Sequence, residues 1–135
     1  MNNFKKIFIT FLSALILTVA NTSSSFAKVE GDTIVLGAAV SLTGKYSSNG
    51  VHTQNGYNLA VERINSMGGV KVKGKNYKFK IIYYDDESNS GRAAQLAERL
   101  IKQDGVQYML GPYSSGLTKA MAPVTEKYKI PMVEA

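Results

Sequence analysis

Cysteine is absent from all 135 residues. That excludes a disulfide framework, a cysteine-based zinc site and a thiol nucleophile. It also excludes lipidation of a processed N-terminus, which needs a cysteine at the new first position. Histidine is nearly absent too. His52 is the only one, no acid lies close to it in sequence, and it reads as an ordinary surface residue rather than the centre of a catalytic triad. No Gly-x-Gly-x-x-Gly occurs, and the nearest approach to a phosphate loop, Gly44-Lys45, has Ala39 and Tyr46 where that motif requires Gly and Ser or Thr. A nucleophile elbow, Gly-x-Ser-x-Gly, is missing as well, because Ser114 stands in Gly-Pro-Tyr-Ser-Ser-Gly. The acids Asp85-Asp86-Glu87 are consecutive, so an extended chain cannot aim all three at one metal ion. Asp86 is expected instead to cap its loop or brace a neighbouring strand.

Long apolar runs are missing except for one. Ile7–Ala20 is apolar apart from Thr10, Ser13 and Thr18, with Lys5 and Lys6 before it and Ser25-Phe26-Ala27 after it. Spanning a bilayer takes ~20 apolar residues, and this run is shorter and is followed at once by polar residues. The pattern is that of a cleaved export signal over residues 1–27, with the mature chain starting at Lys28. The leader holds two of the 16 Lys and Arg and none of the 10 Asp and Glu, so the net charge falls from +6 to +4 on cleavage. Much of that excess is local, since Lys71, Lys73, Lys75, Lys78 and Lys80 lie within ten residues. Alternating along a hairpin with no base-stacking motif, they predict a solvated sheet edge and no nucleic-acid partner.

What is present is an alternation of strands and helices. Thr33–Val40 is a continuous apolar run, as a strand covered on both faces would be. Ser41–Gly50 is rich in Gly, Ser and Asn and reads as a loop. Val51–Met67 has Tyr57, Ala60, Val61 and Ile64 at helical spacing and stops at Gly68-Gly69. A basic hairpin turns near Gly74, and Tyr77–Tyr84 is a strand that becomes apolar towards its end. Asp85–Gly91 is a loop, Arg92–Asp104 a helix, Val106–Leu110 a third strand and Gly111–Ser115 a turn. Gly116–Tyr128 is a helix that Pro123 should kink or restart, and Pro131–Ala135 begins a fourth strand. This order predicts an α/β fold, a parallel sheet with helices on both faces, incomplete as it stands. Ile130, Met132 and Val133 are expected on an open apolar edge.

Ligands of open parallel sheets bind beyond the carboxyl ends of the strands. The turn Gly111–Ser115 lies there and runs straight into a helix, whose first amides lack partners and whose dipole is positive. Ser114 and Ser115 beside those amides suit a carboxylate or phosphate, although either serine can equally serve as a helix cap. Tyr46 and Tyr113 are the aromatics placed in the edge loops.

Four segments in register carry a resemblance: IVLGAAVSLTGKYSSNG, INSMGGV, YYDDESNSGRAAQLAERLI and LGPYSSGLTKAMAPVTEKYKIPMV. Together with the leader they resemble the periplasmic type I solute-binding proteins of ABC importers, in the leucine/isoleucine/valine-binding branch. The resemblance implies a two-lobed protein that closes on its ligand by hinge motion. Residues 28–135 would be the first part of the N-terminal lobe, with flavodoxin-like strand order. It implies that Gly111–Ser115 lines the cleft, that Ser115 holds an amino acid's carboxylate through its hydroxyl and amide, and that Ser114 and Tyr113 flank it. It implies a periplasmic location, an inner-membrane permease as partner, a monomer when full length, and neither cofactor nor catalysis. Many relatives carry an aromatic just before the last Gly of the 44–50 loop. Here that residue is Asn49, which makes a small polar or amide ligand plausible beside a branched-chain one. Two other readings stand beside transport: a receptor's ligand-sensing lobe, and a secreted α/β hydrolase.

Overall fold

The computed structural model describes residues 29–135, so the expected leader lies outside the described residues. The elements run β1 (Val29–Glu30), β2 (Thr33–Val40), α1 (Ser47–Ser66), β3 (Val70–Val72), β4 (Lys75–Asp85), α2 (Ser90–Lys102), β5 (Met109–Leu110), α3 (Ser115–Lys127) and β6 (Met132–Val133). They form one sheet in the order β3-β4-β2-β5-β6, with β1 paired to β2. The pairs β2–β4, β2–β5 and β5–β6 are parallel. This is the flavodoxin-like order expected of the lobe, with the chain stepping from β2 to one side for β4 and to the other for β5 and β6. Two short antiparallel additions, β1 on β2 and β3 on β4, make the sheet mixed. The hairpin between β3 and β4 turns at Lys73 and Gly74, both at positive φ (49° and 85°), as a two-residue turn matched to strand twist requires.

Neighbouring residues of a strand point to opposite faces, and β4 shows what each face meets. The Tyr83 hydroxyl donates to Asn58 of α1 at 2.8 Å. The Tyr84 hydroxyl donates to Asp104, just beyond α2, at 3.1 Å, and the Arg99 guanidinium lies over the Tyr84 ring. Helices therefore cover both faces, α1 on one and α2 with α3 on the other. The core lies between the sheet and the α2–α3 pair: Val35, Ala39, Ala93, Leu96, Ala97, Leu100, Val106, Met109, Leu117 and Met121. Alanines at 93 and 97 let α2 approach β2, and Gly37 faces Val106, Met109 and Leu100 with no room for a Cβ. Opposite this core α1 lies flatter on the sheet, with Gly50 its only buried residue. Asn65 anchors it, donating to the Phe79 carbonyl and accepting from the Phe79 amide, both at 2.8 Å.

Several boundaries differ from the sequence reading. The third strand is confined to Met109–Leu110, because the Val106 amide closes the end of α2 on the Leu100 carbonyl at 3.1 Å instead of joining the sheet. Helix α3 runs through Pro123 without a break. Ile130 and Met132 pack against the core, which leaves Val133, 65% exposed, as the open residue of the last strand. The larger uncovered surface is a face rather than an edge. Beside α1 the sheet carries a groove of about 650 Å³ lined chiefly by Ile34, Leu36, Val72, Phe79, Tyr108 and Val133. Tyr108 is 45% exposed there. An apolar face of this kind promotes association, so residues 29–135 alone are expected to self-associate at micromolar concentration. Leu36→Lys should shift sedimentation towards monomer, and an equally monodisperse unsubstituted chain would contradict this.

Candidate functional site

The loops after β2, β4 and β5 meet at one end of the sheet. The first two are knotted together by Asp85 and Asp86. Asp85 accepts from the amides of Leu42, Thr43 and Glu87 at 2.9, 3.2 and 2.8 Å and from the Thr43 hydroxyl at 2.7 Å. Burial pushes its carboxyl up, but those four hydrogen bonds prevail and hold it below the ordinary carboxylate range. Asp86 is fully buried, as its expected bracing role requires, and one of its oxygens accepts from the Ser41 hydroxyl at 2.6 Å. Ser88 completes the knot. Its amide donates to Asp86, and its hydroxyl donates to the Thr43 carbonyl and accepts from the Tyr46 amide.

Gly44 sits in this knot at φ 80°, where a Cβ would meet the Glu87 carbonyl and Ser88 side chain at 2.7 Å. Gly50 is packed still more closely, since a Cβ there would come within 1.9 Å of the Ser41 carbonyl. The Gly and Ser content of Ser41–Gly50 thus reflects close packing, and α1 begins at Ser47, four residues before the expected start. Asn49 is consequently in the first turn of α1, exposed to solvent, and not in the loop.

The third loop is clamped from both sides. The Gly111 amide donates to the Val133 carbonyl at 2.6 Å, and the Gly111 carbonyl accepts from the Tyr57 hydroxyl at 2.8 Å. Ser114 occupies the N-cap of α3 with extended backbone, yet its side chain makes no capping hydrogen bond. Its carbonyl takes the Thr118 amide at 2.9 Å, so the amides of Ser115, Gly116 and Leu117 have no intrahelical acceptor. Ser115 is exposed and Ser114 half-buried. Open amides, a positive helix end and two hydroxyls are groups suited to a carboxylate.

Tyr113, 49% exposed, stands over this turn with its ring 6.5 Å from that of Tyr46 and tilted by 58°. The Lys45 ammonium lies 4.6 Å above the Tyr46 ring. Hydrogen bonding with Lys45 and then Ser114, together with the Lys45 charge, holds the Tyr46 phenol below its ordinary range. Tyr113, Ser114 and Ser115 are thus brought together, and the loop after β2 brings Tyr46 and Lys45 to them. Asn49 has no recorded contact with this group. Lys45 escaped the sequence reading, where it was weighed only as part of a phosphate loop. Tyr46 was visible only as an aromatic in an edge loop.

The family model for periplasmic binding protein matches residues 33–135. The chain belongs to that family. Members of this family are solute-binding proteins. This periplasmic binding protein chain is 30% identical over 118 residues to Leu/Ile/Val-binding protein homolog 8 of Brucella suis, covering 87% of itself and 28% of that relative. Its structure is similar to the branched-chain amino acid transporter substrate binding protein LivJ of Streptococcus pneumoniae in complex with isoleucine. The TM-score is 0.68 at 30% identity, over 76% of this chain and 28% of that one. It is also similar, with a TM-score of 0.64 at 30% identity, to an ABC transporter solute binding protein of Rhodopseudomonas palustris in complex with 3,4-dihydroxybenzoic acid. That match covers 76% of this chain and 27% of the other. The chain therefore spans between a quarter and a third of the length of these relatives.

Proposed function

We propose that this chain forms one wall of the ligand cleft in the substrate-binding component of an ABC importer for branched-chain or related small amino acids or amides. The observation that carries this reading is the uncapped start of α3. Its first amides and the exposed Ser115 hydroxyl are free at the carboxyl edge of a parallel sheet. Ser115 takes the ligand carboxylate with Ser114 beside it, and Tyr113 packs on the ligand side chain. Asn49 lends a polar group from the first turn of α1. No cofactor enters, and the implied partner is an inner-membrane permease, with the full-length protein a monomer. The names of the Brucella suis relative and the Streptococcus pneumoniae protein support the amino-acid class.

A second reading, an aromatic carboxylate, is favoured by the Tyr46–Tyr113 pair beside the same carboxylate receptor and by the ligand of the Rhodopseudomonas palustris protein. Calorimetric titration of the full-length protein with L-leucine, L-isoleucine, L-glutamine and 3,4-dihydroxybenzoate separates the two. Binding of an amino acid at micromolar or tighter affinity is the expected result. Binding of 3,4-dihydroxybenzoate alone would select the second reading, and no binding of any of the four would defeat both.

Delivery to a permease requires export, so the leader over residues 1–27 is proposed to be removed and the protein to reside in the periplasm. N-terminal sequencing of periplasmic material should begin at Lys28. A start at Met1 would refute cleavage.

A further inference from the structure

Three energetically unfavourable features are gathered in the three residues after β4. Asp86 is completely buried, and its Oδ2 has no hydrogen-bond partner. An unpaired buried acceptor gives up its hydration without compensation and is destabilising. Burial also drives the Asp86 carboxyl above the ordinary carboxylate range, against the hydrogen bonds from Ser41 and Ser88. Glu87 and Ser88 then follow one another in the left-handed region, at φ 54° and 60°, although neither is glycine. Such conformations persist only where the surroundings over-determine them, and they gather at ligand clamps and switches.

The product of this strained loop is a single side-chain placement. Asp86 Oδ1 accepts from both the Ser41 hydroxyl and the Ser88 amide, at 2.6 and 2.8 Å, which orients Ser88. The Ser88 hydroxyl donates to the Thr43 carbonyl at 2.7 Å and accepts from the Tyr46 amide at 3.0 Å. Tyr46 is the residue whose ring lies 6.5 Å from that of Tyr113, the neighbour of Ser114. A chain of hydrogen bonds thus runs from a buried carboxyl, through one serine, to the backbone of the aromatic residue beside the proposed carboxylate receptor.

We propose that Asp86 and Ser88 are positioning residues for ligand binding: the Ser88 hydroxyl, aimed by Asp86, holds Tyr46 against Tyr113 and Ser114 and so sets the grip on the ligand's side chain. This rests on the reading of the Tyr113–Ser115 turn as the ligand site. Neither residue touches the ligand. Their effect passes through the angle and spacing of the two rings.

Ser88→Gly provides the test, because glycine accepts φ 60° without strain yet lacks the hydroxyl. A purely structural Ser88 would leave binding alone once strain is relieved. A positioning Ser88 predicts a melting temperature unchanged or raised, a Tyr46 amide that exchanges at least about tenfold faster by NMR, and affinity weakened about tenfold. Affinity is read by calorimetry on the full-length protein with L-leucine, L-isoleucine, L-glutamine and 3,4-dihydroxybenzoate, using whichever the unsubstituted protein binds. Thr125→Ala, a buried change in α3 remote from this edge, serves as control and should lower the melting temperature while keeping affinity within about twofold. Asp86→Asn keeps one carbonyl oxygen and should retain most of the affinity that Asp86→Ala loses. Ser88→Gly with unaltered affinity overturns the positioning role and leaves the ligand site standing. Failure of the unsubstituted protein to bind any of the four probes overturns the ligand site, and the positioning role with it.

Discussion

Replacing Ser115 by alanine in the full-length protein is expected to weaken ligand affinity about 10- to 100-fold with little change in stability. The hydroxyl at the start of α3 is exposed and has no recorded protein partner, so its removal leaves no buried group unsatisfied. A hydrogen bond to a charged group contributes about 1.5–3 kcal/mol, and every 1.4 kcal/mol is a factor of about ten. Ser115→Gly should behave alike, since either variant keeps the backbone amide. Ser114→Ala should have the smaller effect, because Ser114 is half-buried where Ser115 is exposed. Calorimetry with the best-bound amino acid checks this directly. Unaltered affinity in Ser115→Ala removes Ser115 from the site.

Two glycine-to-alanine changes within α1 should move stability in opposite directions, and Gly50→Ala has the largest expected effect on the fold. Its Cβ would lie 1.9 Å from the Ser41 carbonyl oxygen and 2.7 Å from the carbonyl carbon, both backbone atoms. Ser41 cannot easily retreat, because its hydroxyl is held by buried Asp86 at 2.6 Å. Overpacking commonly costs 1–3 kcal/mol, and a clash with pinned backbone belongs at roughly 3 kcal/mol or above. For a domain of this size that is a fall in melting temperature of about 12 °C or more. Gly56→Ala, six residues further along the same helix, meets nothing within 4 Å. It should instead gain about 0.5–1 kcal/mol from helix propensity. Thermal unfolding of the pair by circular dichroism provides the check, and equal midpoints would show that the Gly50 contact yields.

Most of the fold was legible in the chain because its signals are local. The apolar run Thr33–Val40, the helical spacing in Arg92–Asp104 and the glycines that stop helices each report on a few adjacent residues. In sequence they imply alternating strands and helices, hence a parallel sheet with helices on both faces. The proposed carboxylate receptor was legible for the same reason, since a strand, a turn with two serines and a helix start are contiguous. The signals failed where one residue's role depends on a distant partner. Gly50 looked like loop material, but the Ser41 carbonyl above it requires a glycine inside a helix. Asn49 accordingly moved from the loop to the exposed first turn of α1.

The sequence by itself determined the element order, excluded disulfide and thiol chemistry within these 135 residues, and pointed to the carboxyl edge at which we propose a ligand is met. Tertiary structure alone decided that Tyr46 faces Tyr113, that Lys45 stands over Tyr46, and that Asp86 and Ser88 hold this arrangement. The difference is physical. Backbone periodicity and capping are fixed by neighbours within a turn or two, whereas the Ser41–Asp86 and Tyr46–Ser88 bonds join residues more than forty positions apart. Such pairs exist only once β2 and β4 lie side by side, and no local pattern in either segment announces the other.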